Sequence, residues 1–296
     1  MSKIFECIPN ISEGRDAKVV LACVKAVSEV EGITLLNYTS DVDHNRSVIT
    51  FMGEAEAIEE AAVSLAMATT KLIDLRKHSG EHPRVGALDV LPIVPLKNAS
   101  EEEAVELSIK IAKRIANECG VPTYLYENSA SAPHRKNLAD IRRGGFEGLC
   151  EKQKDKDWLP DFGEGYHESA GVVVVGARFF LIAYNFDLKT DDLDIAKAIA
   201  KKIRQSSGGF ECVKALGVML ESENKAQVTV NLTDYRKTPL WKLTEEVRRL
   251  AREYGTEVES AELIGLISMR ALTESAAYYL GIRDFDSKTR VIEEFL

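Results

Sequence analysis

"ITLLNYTSDVDHNRSVITFMG", residues 33–53, contains two strand-like runs with no helix between them. "ITLLNY" and "RSVITFMG" are rich in β-branched and aromatic residues, and the polar break between them has the composition of a turn. Helical spacing flanks the pair. Before it, "RDAKVVLACVKAVSEV" repeats apolar residues at Val19, Val20, Cys23, Val24 and Val27 and ends at Gly32. After it comes the long Ala-rich "EAEAIEEAAVSLAMATTKLIDL", predicted helical as far as Leu75 or Arg76. Strand candidates "KIFECIPNI" and "ALDVLPIVPL" complete the order β-α-β-β-α-β, the split βαβ unit. The two prolines of "ALDVLPIVPL" predict an edge strand or a strand end. A further helix, "SEEEAVELSIKIAKRIANEC", opened by a Ser100–Glu103 capping box, and the strand "VPTYLYEN" extend the sheet.

The second half repeats the order. "GVVVVGARFFLIAYNF" supplies strand material, followed by helix "TDDLDIAKAIAKKIRQS" and strands "VKALGVMLES" and "AQVTVNLTD". Helix "PLWKLTEEVRRLAREYG", strand "TEVESAELIGL" and a short closing helix complete it. The expected fold class is therefore α/β (α+β), with two split-βαβ, ferredoxin-like subdomains at residues 1–178 and 179–296. Residues 128–170 between the regular parts are rich in Gly, Pro and charge. Trp158, Phe162 and Tyr166 in that stretch argue for an ordered, functional loop region.

Composition narrows the function. The chain of 296 residues, 45% hydrophobic and 29% charged, suits one large or two medium globular domains. A net charge of -9 without a basic block excludes nucleic acid as the main partner. No apolar run reaches membrane-span length and the N-terminus lacks a signal-peptide core, so a cytoplasmic protein is expected. Five scattered cysteines without C-x-x-C read as reduced thiols.

Three constellations carry chemistry. The first, His78-Ser79-Gly80-Glu81-His82, matches H-x-x-E-H, an inverted zinc-peptidase pattern. Zinc binding there needs both histidines on one helical face, but Gly80 lies inside the motif and Pro83 follows His82, so the motif belongs to a loop. Arg84 follows immediately. The second is the turn with Asp41, Asp43, His44, Asn45 and Arg46. A polar turn of this kind is an ordinary Asx turn on its own, yet this one holds more polar groups than a turn needs. The order of elements does not fix the distance between the two. The third is Gly163, Glu164, Gly165, Tyr166, His167, Glu168, Ser169, Ala170 and Gly171, whose glycines permit close approach of a flat ligand beside Phe162 and Tyr166.

Together, "ECIPNISEGRD", "HNRSVITFMG", "HSGEHPRVGALDV", "PTYLYE", "PDFG" and "GARFFLIAYNFDL" resemble the glutamate formimidoyltransferase family over essentially the whole chain. The resemblance is to the stand-alone form, without the cyclodeaminase unit that vertebrate members carry. It implies two α/β subdomains with a folate cleft between them and a homodimer. The implied reaction is transfer of the formimino group from N-formimino-L-glutamate to tetrahydrofolate, in histidine breakdown. The family's catalytic histidine, in G-E-H-P-R, is His82 here, and its folate segment after P-D-F-G falls on 163–171. Formyl transfer from 5-formyltetrahydrofolate is a second reaction the motifs allow.

The chemistry fits these residues. A group titrating near neutrality can take the proton from N5 of tetrahydrofolate and return one to the departing glutamate nitrogen, a role for His82. Glu81, or an acid of the 41–43 turn, would orient it. Arg46, Arg84 or Arg178, with Asp41 and Asn45 nearby, would bind the substrates' carboxylates and folate tail. No metal is required. A zinc hydrolase using His78 and His82, and a folate-binding module without turnover, are the rival classes.

Overall fold

The computed structural model describes residues 2–42, 44–80, 83–220 and 223–295. The chain forms two compact units, Met1–Arg178 and Phe179–Leu296.

In the first unit, β1 (Ile4–Cys7) and β2 (Asn10–Ile11) are one strand interrupted at Ile8 and Pro9. They are followed by α1 (Ala17–Ser28), β3 (Thr34–Asp41), β4 (Arg46–Gly53), α2 (Ala55–Leu72) and β5 (Leu88–Lys97). Next come α3 (Glu101–Cys119), β6 (Thr123–Leu125), two short helices α4 (Leu138–Arg142) and α5 (Leu149–Lys152), and β7 (Val173–Ala177). The sheet runs β3–β4–(β1, β2)–β5–β7–β6. Its first four positions are antiparallel, in the split-βαβ order, and β7 joins β5 and β6 in parallel.

Local signals start the helices. Asp16 caps α1 by accepting from the Lys18 and Val19 N–H groups, and Ser100 with Glu103 forms the capping box of α3. Alternation along the strands builds two cores. Phe5, Cys7, Ile49, Phe51, Leu91, Ile93, Val173 and Val175 enter the one beneath α1, α2 and α3. Val90, Val174, Tyr124 and Tyr126 face the other way and meet Ile141 and Leu149 of α4 and α5.

The second unit is a four-stranded sheet, β11–β8–β10–β9, made of β8 (Ile182–Leu188), β9 (Val213–Leu220), β10 (Lys225–Leu232) and β11 (Val258–Ile264). Helices α6 (Leu193–Ile203) and α7 (Leu240–Glu253) cover one face, and α8 (Met269–Leu280) and α9 (Ser287–Arg290) close the unit. The element order βαββαβ thus occurs twice.

Three expectations need correction. The proline-bearing strand β5 is not an edge: it pairs with β1 and β2 on one side and β7 on the other. Pro92 is tolerated because it lies opposite the break between β1 and β2, where its carbonyl accepts from Ile8 N–H (3.3 Å). "GVVVVGARFFLIAYNF" is not strand material of the second half throughout: it divides at the 178/179 boundary, β7 completing the first sheet and β8 beginning the second. Helix α2 ends at Leu72. Ile73 and Asp74 are extended, and Asp74 caps a 3₁₀ turn at Leu75–Lys77.

Candidate active site

The C-terminal ends of β2 and β3 and the N-terminal ends of β4 and β5 share one edge of the first sheet, as the Asp41–Arg46 and Ile11–Leu88 registers show. The loops leaving those ends therefore meet. Asn45 joins them. It adopts φ 48°, a left-handed conformation that asparagine tolerates better than most residues. Its Oδ1 accepts from Gly14 N–H (3.0 Å), its Nδ2 donates to Ser79 O (2.9 Å), and its carbonyl accepts from His78 Nε2 (2.9 Å). His78 is therefore a brace whose Nε2 carries the proton, and burial lowers its pKa. The contacts are tight enough to need glycine. A Cβ on Gly80 would sit 2.5 Å from His44 O, and one on Gly14 would sit 2.7 Å from Arg46 N. The turn at 41–46 and the H-x-x-E-H loop, whose separation the sequence left open, are in contact.

The other flank of that loop rests on the glycine segment. Val172 N–H donates to Val85 O (3.0 Å), Ala87 N–H to Ala170 O (2.9 Å) and Leu75 N–H to Ser169 O (2.8 Å). Gly86 and Gly171 form an antiparallel bridge in which a Cβ on either would overlap the opposite carbonyl. Within 163–171, His167 and Gly171 exchange two backbone bonds of 2.8 Å, and His167 Nδ1 accepts from the N–H groups of Ser169 and Ala170. His167 thus holds the turn from inside. Gly163, Glu164, Gly165, Tyr166 and Glu168 are exposed. Gly163 and Gly165 have φ 80° and 62°, and Tyr166 lies edge-on to Phe146 at 6.4 Å. Glu168 reaches Arg76 (3.3 Å). The P-D-F-G stretch clamps β6: Asp161 accepts from Leu125 N–H (2.8 Å) and pairs with Arg135 (2.9 Å).

The charged residues divide by position. Arg84 is a brace, donating to Glu147 (2.8 Å) and to His78 O (3.1 Å). Arg46 stands across from Asp41 on the strand pair. Burial lowers its pKa, with Asp41 and Asp89 acting against that and Arg142 with it. Arg178 N–H donates to Ile93 O (3.0 Å), and its guanidinium acts on Glu6 of β1 and on Tyr126, which Arg142 also reaches. Asp41 accepts twice from His44, from its N–H (2.9 Å) and from ring Nδ1 (2.8 Å).

Two buried acids carried no sequence signal. Asp89 accepts from Val85 N–H (2.7 Å) and pairs with Arg142, so it fixes the end of the H-x-x-E-H loop to α4. Glu6, on β1, is 1% exposed with Oε2 lacking a hydrogen-bond partner among the described residues. Burial raises its pKa to about 7 against the pull of Arg178. Each interrupts an apolar strand at one position, which periodicity reads as ordinary alternation. Glu81, His82 and Asp43 lie outside the described residues.

A model of the formiminotransferase domain's N-terminal subdomain matches residues 4–178, and one of the formiminotransferase domain matches 183–294. The glutamate formimidoyltransferase of Streptococcus pyogenes serotype M1 is 47% identical over 297 residues, covering 100% of this chain and 99% of that one. That of Thermoplasma acidophilum is 42% identical over 96% of this chain and 94% of its own. The formimidoyltransferase-cyclodeaminase of Rattus norvegicus is 41% identical over 94% of this chain, which spans 53% of that longer protein. Both units are matched, and the chain belongs to the formiminotransferase family.

Proposed function

We infer that this chain is a glutamate formimidoyltransferase, moving the formimino group of N-formimino-L-glutamate to N5 of tetrahydrofolate. One observation carries the reading. The loop that contains His82 is tied on one side to the Asn45 turn and on the other to the 163–171 segment. Its described residues thus lie between two faces able to present two substrates.

N5 of tetrahydrofolate attacks the formimino carbon and forms the N5–C bond. The C=N electron pair moves to the imino nitrogen, then returns to expel glutamate as its amine. The proton lost by N5 balances the one gained by that amine, so no oxidant, reductant or metal enters. His82 carries the proton, which general acid–base catalysis values at about 10²–10⁴ in rate. Folate lies against 163–171, where positive-φ glycines allow backbone approach. Arg46 and Arg178 bind carboxylates of the substrates. Asp41 and Asn45 shape the donor side. The enzyme works as a cytoplasmic homodimer; no helix among the described residues is long and apolar enough to cross a membrane.

The test is direct. Purified protein with formiminoglutamate and tetrahydrofolate should release glutamate at a rate proportional to enzyme. Binding of folate without release would leave only a binding module. Glutamate consumption with 5-formyltetrahydrofolate, and none released from formiminoglutamate, would reassign the donor.

A further inference from the structure

We propose that Gln153 is a positioning residue for tetrahydrofolate, setting the shape of the exposed tip 163–166. The inference rests on the folate reading of 163–171 given above. It names a residue outside that segment on which the segment's grip depends.

The tip needs an anchor. Before it, Asp161 and Phe162 are joined to Thr123 by backbone hydrogen bonds. After it, His167 and Gly171 exchange two, while Ser169 and Ala170 accept from Leu75 and Ala87. Between these ties, no backbone hydrogen bond among the described residues holds 163–166. Gly163 and Gly165, at φ 80° and 62°, are the residue type with most conformational freedom to lose. A tip left so would sample many shapes, and binding would have to include the cost of ordering it.

Gln153 supplies the missing tie. It stands at the C-cap of α5, where its N–H donates to Leu149 O (3.0 Å). Its Nε2 donates to Gly165 O (2.9 Å), the one side-chain hydrogen bond to the tip among the described residues. The same Nε2 donates to the Tyr124 hydroxyl (3.1 Å), which itself donates to Trp158 O. Gly165 O can only accept, and the hydroxyl's proton is directed at Trp158. Both contacts therefore call for the amide nitrogen, which fixes the orientation of the side chain. Tyr124, on β6, is 1% exposed, so the bonds run from the core of the first unit out to the tip. Phe146 steadies the flank. It lies edge-on to Tyr166 at 6.4 Å and would be 3.1 Å from a Cβ on Gly171. Only Gln153 holds the tip's backbone, and it does so through a carbonyl, leaving the N–H groups of 163–166 for a ligand.

The test measures tetrahydrofolate Kd, both KM values, kcat and melting temperature on the full chain. Gln153→Leu keeps the bulk and loses the donor. It should raise Kd and KM for tetrahydrofolate by about three- to tenfold, the share of one hydrogen bond. The KM for formiminoglutamate, kcat at saturation and melting temperature should match the parent protein. Gln153→Glu separates the two contacts. Its carboxylate accepts from Tyr124 but cannot donate to Gly165 O, so folate binding should weaken at least as much. An unchanged tetrahydrofolate Kd in Gln153→Leu overturns the proposal, and so does a parent-like Gln153→Glu. A fall in melting temperature with kcat and both KM values shifted together also overturns it, since the side chain would then be structural. A parent protein that binds no tetrahydrofolate removes the folate reading itself. A parent that binds it no better than Gln153→Leu removes this proposal alone.

Discussion

The two units use the same βαββαβ order, and they differ most at one connection. From the second helix to the fourth strand, the first unit spends residues 73–87 and the second only 254–257. The short version shows that the fold needs no more than a tight link. The remaining length in the first unit is therefore free for other work, and it contains the His78–Arg84 block. The strands that follow differ as well. β5 is covered by β7 and mostly buried, while β11 is the exposed edge of its sheet. Covering the fourth strand brings the 163–171 segment, just before β7, against the long connection.

The largest expected effect tests that closeness. Gly86→Ala puts a Cβ onto Val172 O and should destabilise the protein by about 3 kcal/mol or more, with loss of activity. Gly255→Ala, in the short connection, meets no atom within 4 Å and bears only its positive φ of 75°, so about 1 kcal/mol is expected. Denaturant unfolding of both variants measures the contrast. Equal, small effects would show that the long connection is not wedged as described.

Next comes a difference in pH behaviour. Glu6 is raised from 4.5 to about 7 in the folded state, so its contribution is full below 4.5 and is lost as pH rises toward 7. At 1.36 kcal/mol per pKa unit, Glu6→Gln should gain about 3 kcal/mol on the parent protein between pH 4.5 and 8. Asp234 of the second unit runs the other way. Burial opposes its charge, but the Arg236 guanidinium and N–H hold it below its ordinary value, so its contribution is present above that value and lost on acidification. Unfolding free energies of Glu6→Gln and Asp234→Asn across pH should diverge in opposite senses. A Glu6→Gln profile parallel to the parent's would refute the assignment of Glu6.

The smallest effects separate brace from filler. His78→Ala removes the bond to Asn45 O and should cost about 1–2 kcal/mol, with kcat falling far less than for His82→Ala. Thr256→Ala, in the short connection, deletes a hydroxyl that has no hydrogen-bond partner among the described residues and should change stability by less than about 0.5 kcal/mol. Melting curves at one pH suffice, and a Thr256 effect as large as that of His78 would erase the distinction.

Much of the fold was legible because helices and strands differ in period, and Ser100–Glu103 marks its helix start on its own. Pro92 misled because an edge or a strand end is not the only way to spare a proline its missing donor; a break in the neighbouring strand is another, while Pro95 stands near the end of β5 as the strand-end alternative has it. The valines of β7 were assigned to the second half because a strand's apolar run does not say which sheet it joins. The site's residue types were legible in the three polar blocks, but their meeting was not. Contact of 41–46 with 78–80, and of 163–171 with Leu75 and 85–87, follows from the order of strands in the sheet and from where β7 inserts, which no local pattern encodes. Asp89 and Glu6 were missed for a related reason, since a single buried charge leaves the strand period intact.

The most direct test concerns His82, the residue around which the long connection is interpreted. His82→Ala, assayed with formiminoglutamate and tetrahydrofolate, should lose about 10²–10⁴ in kcat while keeping its melting temperature and folate affinity. A His82→Ala protein with near-normal kcat, or one that loses folding and folate binding together with its rate, would contradict the account.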